Sequence, residues 1–170
     1  NRHPRVNILN PGPGVGGHCI AVDPWFIVAA SKQESKMIRL ARETNDSKRD
    51  WVVNKIISTV ESFSKTNPNL RKKDIVIACY GLTFKPDIDD VRESPALYIV
   101  SKLAESLNCQ ILAVDPNLKE LPLILRDKVV MASLEKAGEI ADINVFLVAH
   151  KEFRGVASRA SSDLDFVNAR

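Results

Sequence analysis

Beyond Pro68 the sequence alternates short apolar runs with helical stretches, and this alternation narrows the fold more than any other feature. Residues 74–80 read as a strand stopped at Gly81. Residues 94–107 read as a helix, with Ser94 at its N-cap and Pro95 in its first turn. Residues 111–114 form a second predicted strand, stopped by Asp115-Pro116. A short strand follows at 129–131, a short helix at 134–139, a buried strand at 143–148, and a further candidate strand at 164–167. Strands separated by helices predict an α/β, Rossmann-like parallel sheet.

The N-terminal part follows another grammar. Residues 1–24 are rich in Pro and Gly, with Val6, Ile8, Leu9 and Val15 as apolar anchors, and predict an ordered loop. Residues 24–31 predict a helix with Pro24 in its first turn and Asp23 at its N-cap. Across residues 35–63, Met37 and Ala41, then Val52, Ile56, Val60 and Phe63, recur at helical spacing without Gly or Pro. A helix of roughly 40 Å, at about 1.5 Å per residue, is too long for one small domain to cover. It predicts packing against a second subunit or another domain; a break near Asn45-Asp46 is the alternative. The polar stretch 64–69 sets a boundary between 1–66 and 67–170.

Bulk properties exclude several classes. The chain has 170 residues, 24 basic and 21 acidic, for a net charge of +3. That balance gives no signal for nucleic acid or an anionic membrane. No apolar run approaches the roughly 18 residues of a membrane span. The sequence opens at Asn1 without a secretory signal and reads as a fragment of a longer protein. Cys19, Cys79 and Cys109 are widely spaced and form no C-x-x-C pair, which suits free thiols in a reducing cytoplasm. Cys79 and Cys109 read as structural.

The most specific stretch is NPGPGVGGHCIAVDPWF, from Asn10 to Phe26. Gly12-x-Gly14-x-x-Gly17 matches a dinucleotide fingerprint in letters, but no buried strand precedes it. A P-loop would need Lys and Ser or Thr where His18 and Cys19 stand. His18, Cys19 and Asp23 do not close a tetrahedral metal site without remote help from His3 or His150, and no metal is expected. Two readings remain: a nucleophilic thiol, or a glycine-rich turn with an inert Cys. Glycines admit close backbone approach and supply N–H donors. The positive end of a helix dipole favours a thiolate placed just before it. If a turn begins at Cys19, Asp23 shares its face, and a thiolate beside a carboxylate suits acyl chemistry.

The segment Gly12-Pro13-Gly14-Val15-Gly16-Gly17-His18-Cys19-Ile20-Ala21-Val22-Asp23 resembles the catalytic loop of the UDP-glucose/GDP-mannose dehydrogenase family, G-x-G-x-G-G-x-C-x-x-x-D. A second family motif runs from Gly81 to Pro95, GLTFKPDIDDVRESP. The resemblance implies an NAD-dependent two-fold oxidation of the C6 hydroxyl of a UDP-sugar. It proceeds through a Cys thiohemiacetal and thioester to the uronate. Cys19 matches the nucleophile and Asp23 the assisting carboxylate. Phe84 and Lys85 match nucleotide-sugar contacts, Leu9 to Gly14, with Asn10 and Gly12 among them, match the segment over the uridine and ribose, and Gly16 and Gly17 are further substrate-binding candidates. Arg5 resembles an Arg that reaches a neighbouring subunit's substrate, and Arg170 a cofactor-contacting residue. Asp89, Asp90, Arg92 and Glu93 are expected to hold the loop and helix start.

Val22 stands where glucose-specific relatives carry Lys, so help from that Lys is not expected. His18 before the thiol and Ile-Ala-Val-Asp-Pro-Trp after it are similar to bacterial members that oxidise UDP-N-acetyl-D-mannosamine. That implies a cytoplasmic role in surface polysaccharide synthesis such as that of enterobacterial common antigen. The alternatives are oxidation of UDP-N-acetylglucosamine or UDP-N-acetylgalactosamine, or a non-catalytic nucleotide-sugar-binding or dimerisation module. The family places most of the NAD site in an upstream domain, so this chain is expected to be inactive alone. Residues 1–66 resemble the end of a central helical domain that forms a homodimer, and 67–170 a UDP-sugar-binding domain.

Overall fold

The computed structural model describes residues 10–156 and 159–169. Five strands form one all-parallel sheet: β1 (Val76–Tyr80), β2 (Gln110–Val114), β3 (Val130–Met131), β4 (Ile143–Phe146) and β5 (Ser162–Asp165), in the order β3-β2-β1-β4-β5. Helices α1 (Asp23–Ala30) and α2 (Lys36–Thr66) precede the sheet, α3 (Pro95–Ser106) links β1 to β2, and α4 (Leu134–Ile140) links β3 to β4. The Rossmann-like parallel sheet predicted from the alternation is present.

The inner strands β2, β1 and β4 are largely apolar on both faces because both faces are covered. Ile77, Cys79, Ile111, Ala113, Ile143 and Val145 share a core with Val52, Val53, Ile56 and Val60 of α2 and with Ile99 and Leu103 of α3. Ala78, Tyr80, Leu112, Val114 and Phe146 turn the other way, onto Ala137 of α4 and Phe153. There Tyr80 stacks on Phe146 at 4.4 Å between ring centroids, and the Tyr80 hydroxyl donates to Asn144 Oδ1 at 3.1 Å. Burial of Cys79 pushes its thiol up to about 12, so it is a packing element rather than a nucleophile.

Several predicted boundaries shift for identifiable reasons. The first strand begins at Val76 because Lys72–Asp74 form a 3₁₀ turn. The fourth ends at Phe146, where residues 147–149 leave the ladder to line a cavity. The fifth occupies Ser162–Asp165 rather than 164–167, and alternates between half-buried and exposed side chains as an edge strand. Asp23 is the first residue of α1 rather than its N-cap. The helix-start acceptor is the Cys19 carbonyl, which receives Val22 N–H at 3.1 Å and Asp23 N–H at 2.8 Å.

Helix α2 runs unbroken through Asn45-Asp46 for 31 residues. Val52, Ile56 and Val60 are buried as the periodicity predicted, but Met37 is 83% exposed and Ala41 is exposed. The inward stripe of this half is polar instead: Ser35 and Arg42 are buried and Asn45 is half-buried. Its neighbour is the glycine loop, whose backbone groups require hydrogen-bonding partners.

Sheet order positions the site. The chain runs from β1 outward through β2 to β3, then returns to place β4 on the other side of β1. The crevice beyond the carboxyl ends of β1 and β4 is therefore the topological switch point, where open α/β sheets bind ligands. Gly81 makes the crevice possible. Its φ is +89°, and a Cβ there would lie 2.4 Å from Val148 Cβ.

Candidate functional site

A cavity of about 410 Å³ opens at this switch point. One wall is the glycine loop from Asn10 to Gly16, and another is Thr83-Phe84-Lys85-Pro86 after β1. Pro95-Ala96 at the start of α3, Leu147-Val148-Ala149 after β4, and Val167 complete it. The two sequence motifs thus meet across one concave space, mostly apolar, with a single Lys at its rim.

The second motif is built from its own residues. Leu82 N–H donates to Asp115 Oδ2 at 2.8 Å and the Leu82 carbonyl accepts from the Ser94 hydroxyl at 2.7 Å. Ser94 Oγ also accepts from Leu97 N–H at 3.2 Å, the N-cap predicted for this helix. Phe84 N–H donates to the Asp90 carbonyl at 3.1 Å and closes the loop. Asp90 receives a forked guanidinium from Arg92, with Nε and Nη2 donating to its carboxylate. Hydrogen bonds from Arg92 hold the Asp90 carboxyl down at about 2. Asp90 and Arg92 hold the loop, in line with expectation.

The glycine loop is fastened at three places. Gly17 N–H donates to the Arg92 carbonyl at 3.2 Å. Val15 N–H donates to Asn45 Oδ1 at 2.8 Å, and Asn45 Nδ2 returns a bond to the Val15 carbonyl at 3.3 Å. Gly16 has no room for a side chain: a Cβ would lie 2.2 Å from the Glu93 carbonyl oxygen and 2.8 Å from Pro95 Cδ. The closest backbone approach in this loop is therefore to the second motif. Arg42 also reaches the loop, its Nη1 donating to the Val15 carbonyl at 3.5 Å while Asp46 Oδ1 holds Nη2 at 3.0 Å.

Cys19 and Asp23 are both exposed, one helical turn apart, with the turn beginning at Cys19. Asn10, Gly12, Gly14 and Gly16 line the cavity with Phe84 and Lys85; Gly17 lies against the Phe84 ring just outside it. Arg5, Leu9 and Arg170 lie outside the described residues. Among the described residues, no group of three or more His, Cys, Asp or Glu side chains could hold a metal ion.

Behind the cavity, His150 is fully buried among Thr83, Asp115, Asp87 and Asn117. Burial alone would raise the Asp115 carboxyl. Hydrogen bonds from His150, Leu82 N–H and Asn117 N–H outweigh it and leave Asp115 below its ordinary value. Sequence reading weighed His150 only as a remote metal ligand. Its hydrogen-bonding neighbours come from the ends of β1 and β2 and meet it after β4, a convergence that no local pattern announces.

The model for the UDP binding domain of the UDP-glucose/GDP-mannose dehydrogenase family matches residues 78–166, and the model for its central domain matches residues 1–47. The chain belongs to the UDP-glucose/GDP-mannose dehydrogenase family. The UDP-N-acetyl-D-mannosamine dehydrogenase of Campylobacter jejuni is 55% identical over 93% of this chain, which covers 37% of that relative. The Salmonella typhi protein of the same name is 49% identical over 94% of the chain, again only 38% of its own length. Among solved structures, the UDP-D-ManNAc dehydrogenase of Pyrococcus horikoshii superposes with a TM-score of 0.75 at 30% identity, covering 99% of this chain and 38% of that one. The UDP-N-acetyl-mannosamine dehydrogenase of Staphylococcus aureus gives a TM-score of 0.74 at 34% identity over the same shares. The dehydrogenase-family chain described here thus spans well under half of these relatives.

Proposed function

We propose that this chain is part of an NAD-dependent UDP-N-acetyl-D-mannosamine 6-dehydrogenase and supplies its UDP-sugar site and its catalytic thiol. The observation that carries the reading is the switch-point cavity bounded by both family motifs. In this reading the uridine diphosphate occupies the cavity, with Phe84 and the glycine loop over the nucleoside and Lys85 as a point cation for the diphosphate. Residues 1–66 act as the end of a central domain and 67–170 as the nucleotide-sugar domain.

Cys19 is the proposed nucleophile. It adds to the C6 aldehyde carbon as a thiohemiacetal, holds that carbon as a thioester once a hydride and the hydroxyl proton have left it, and is freed when water breaks the carbon–sulfur bond, giving the carboxylate and the free thiol. Asp23, one turn away, orients the water and takes its proton. Within the described residues the glycine loop is spent on contacts with the second motif rather than on a dinucleotide cradle: Gly16 is packed against Glu93 and Pro95. NAD, which takes up two hydrides per sugar, is assigned to another part of the parent protein, so this chain alone is expected to be inactive.

Exposed Phe26, Ile27, Met37 and Leu40 on α1 and α2 support a homodimer formed through these helices. No helix among the described residues is long and apolar enough to cross a membrane. A second sugar has specific support: a 49%-identical relative from Ralstonia nicotianae is named for NDP-N-acetyl-D-galactosaminuronic acid.

The test is a panel of UDP-sugars given to the full-length parent, counting NADH per sugar. Two NADH per UDP-N-acetylmannosamine, and no uronate from Cys19→Ser, are expected. One NADH per sugar, or unchanged turnover in Cys19→Ser, overturns the thioester route. Preference for the galacto sugar moves the assignment within the family.

A further inference from the structure

His150 does not line the switch-point cavity, yet its ring ties together the loops after three strands. Its Nδ1 accepts Asp87 N–H at 2.9 Å, and a backbone amide can only donate. Nδ1 is therefore bare and the ring proton sits on Nε2. Asn117 Nδ2 also donates to Nδ1, at 3.0 Å. On the other side, Nε2 lies 3.2 Å from Asp115 Oδ2 and 3.3 Å from Thr83 Oγ1. The Thr83 hydroxyl gives its own hydrogen to the Lys85 carbonyl at 2.9 Å, so towards His150 it accepts.

The directions of these bonds form one chain. The single Nε2 hydrogen is shared between Asp115 Oδ2 and Thr83 Oγ1, and Thr83 in turn donates to the Lys85 carbonyl. Asp115 and Asn117 follow β2, Thr83, Lys85 and Asp87 follow β1, and His150 follows β4. Thr83 and Lys85 line the cavity, whereas His150 is completely buried and acts only through them. Phe153 closes the ring's apolar side, edge to face at 5.2 Å.

We infer that His150 is a positioning residue that sets the Thr83–Lys85 wall of the cavity in the shape that accepts a nucleoside diphosphate. The inference rests on the proposed UDP-sugar function. Phe at this position fills a similar volume without either nitrogen; Gln can restore a donor near Nε2. Losing the donor frees the Lys85 carbonyl segment and weakens diphosphate binding more than turnover at saturation.

The experiment uses the full-length parent, with UDP as the calorimetric probe and UDP-N-acetylmannosamine as substrate. For His150→Phe we expect UDP affinity to fall at least tenfold, KM for the sugar nucleotide to rise in step, and kcat to change less than threefold. His150→Gln should recover most of the affinity. Thr83→Val, which cuts the same chain while leaving His150 and its Asp115 and Asp87 bonds in place, should lose affinity like His150→Phe and decides the matter if that variant does not fold. Folded variants that bind UDP like wild type, or a loss in His150→Phe that Gln does not relieve, overturn the inference. Failure of the wild-type parent to bind UDP would instead sink the proposed function. The positioning role is then read from amide exchange: Asp87 N–H must exchange at least tenfold faster in His150→Phe with α2 unchanged, and equal exchange refutes it.

Discussion

Gly16 sits so close to Glu93 that a Cβ on it would lie 2.2 Å from the Glu93 carbonyl oxygen. The two residues belong to the two family motifs, and their contact is backbone against backbone. Gly16→Ala must therefore push the loop away from the start of α3. Overpacking of this kind costs about 1–3 kcal/mol. Urea denaturation is expected to show that loss, with weakened UDP binding because Gly16 also lines the cavity. An alanine variant as stable as wild type would contradict the packing.

Ser94 holds both the N-terminus of α3 and the Leu82 carbonyl. Ser94→Ala removes a helix cap and leaves a buried acceptor without its donor. We expect a loss of about 2 kcal/mol, the upper part of the range for caps, in chemical denaturation. Ser94→Thr should retain much of it.

Asp115 gives the fold a pH dependence with a definite sign. Its carboxyl lies below its ordinary value in the folded chain, through the bonds from His150, Leu82 and Asn117 that overcome burial. The stability this contributes is fully present above the unfolded carboxylate value, about 4. It is lost as pH falls through the lowered folded value. Asp115→Asn should lower stability at neutral pH by about 2 kcal/mol and flatten the acid limb. Urea midpoints from pH 7 to pH 3 measure both.

The three thiols should separate by burial. Cys19 is exposed, Cys109 is half-buried and raised by burial against a smaller opposing effect of Lys72, and Cys79 is buried and pushed up to about 12. Iodoacetamide at neutral pH, read by mass spectrometry of the native protein, should label Cys19 first and leave Cys79 unmodified until the chain unfolds.

Much of this was legible in the sequence because it is local. Ser94-Pro95 announces a helix start by residue type, and the strands announce themselves by unbroken apolar runs. The two motifs, Gly12–Asp23 and Gly81–Pro95, carry the family resemblance in their residue types and spacing alone. What escaped is non-local. The order β3-β2-β1-β4-β5 joins segments distant in sequence, so the place where 147–149 meet Thr83 could not be read. Met37 and Ala41 fit a helical stripe, but the surface facing that half of α2 is a polar backbone loop. Arg42 and Asn45 therefore took the inner positions. His150 carries no pattern, since its hydrogen-bonding partners lie on two other loops, after β1 and β2.

The central claim is that the switch-point cavity takes a uridine diphosphate beside Lys85. Calorimetric titration of UDP into the full-length parent tests it most directly, comparing wild type with Lys85→Glu. Lys85 is exposed, so the variant should keep the wild-type melting temperature. The account predicts saturable binding to wild type, and a loss of about tenfold or more on reversing the charge, on the order of 1.4 kcal/mol. No UDP binding by wild type, or equal affinity in Lys85→Glu, would contradict it.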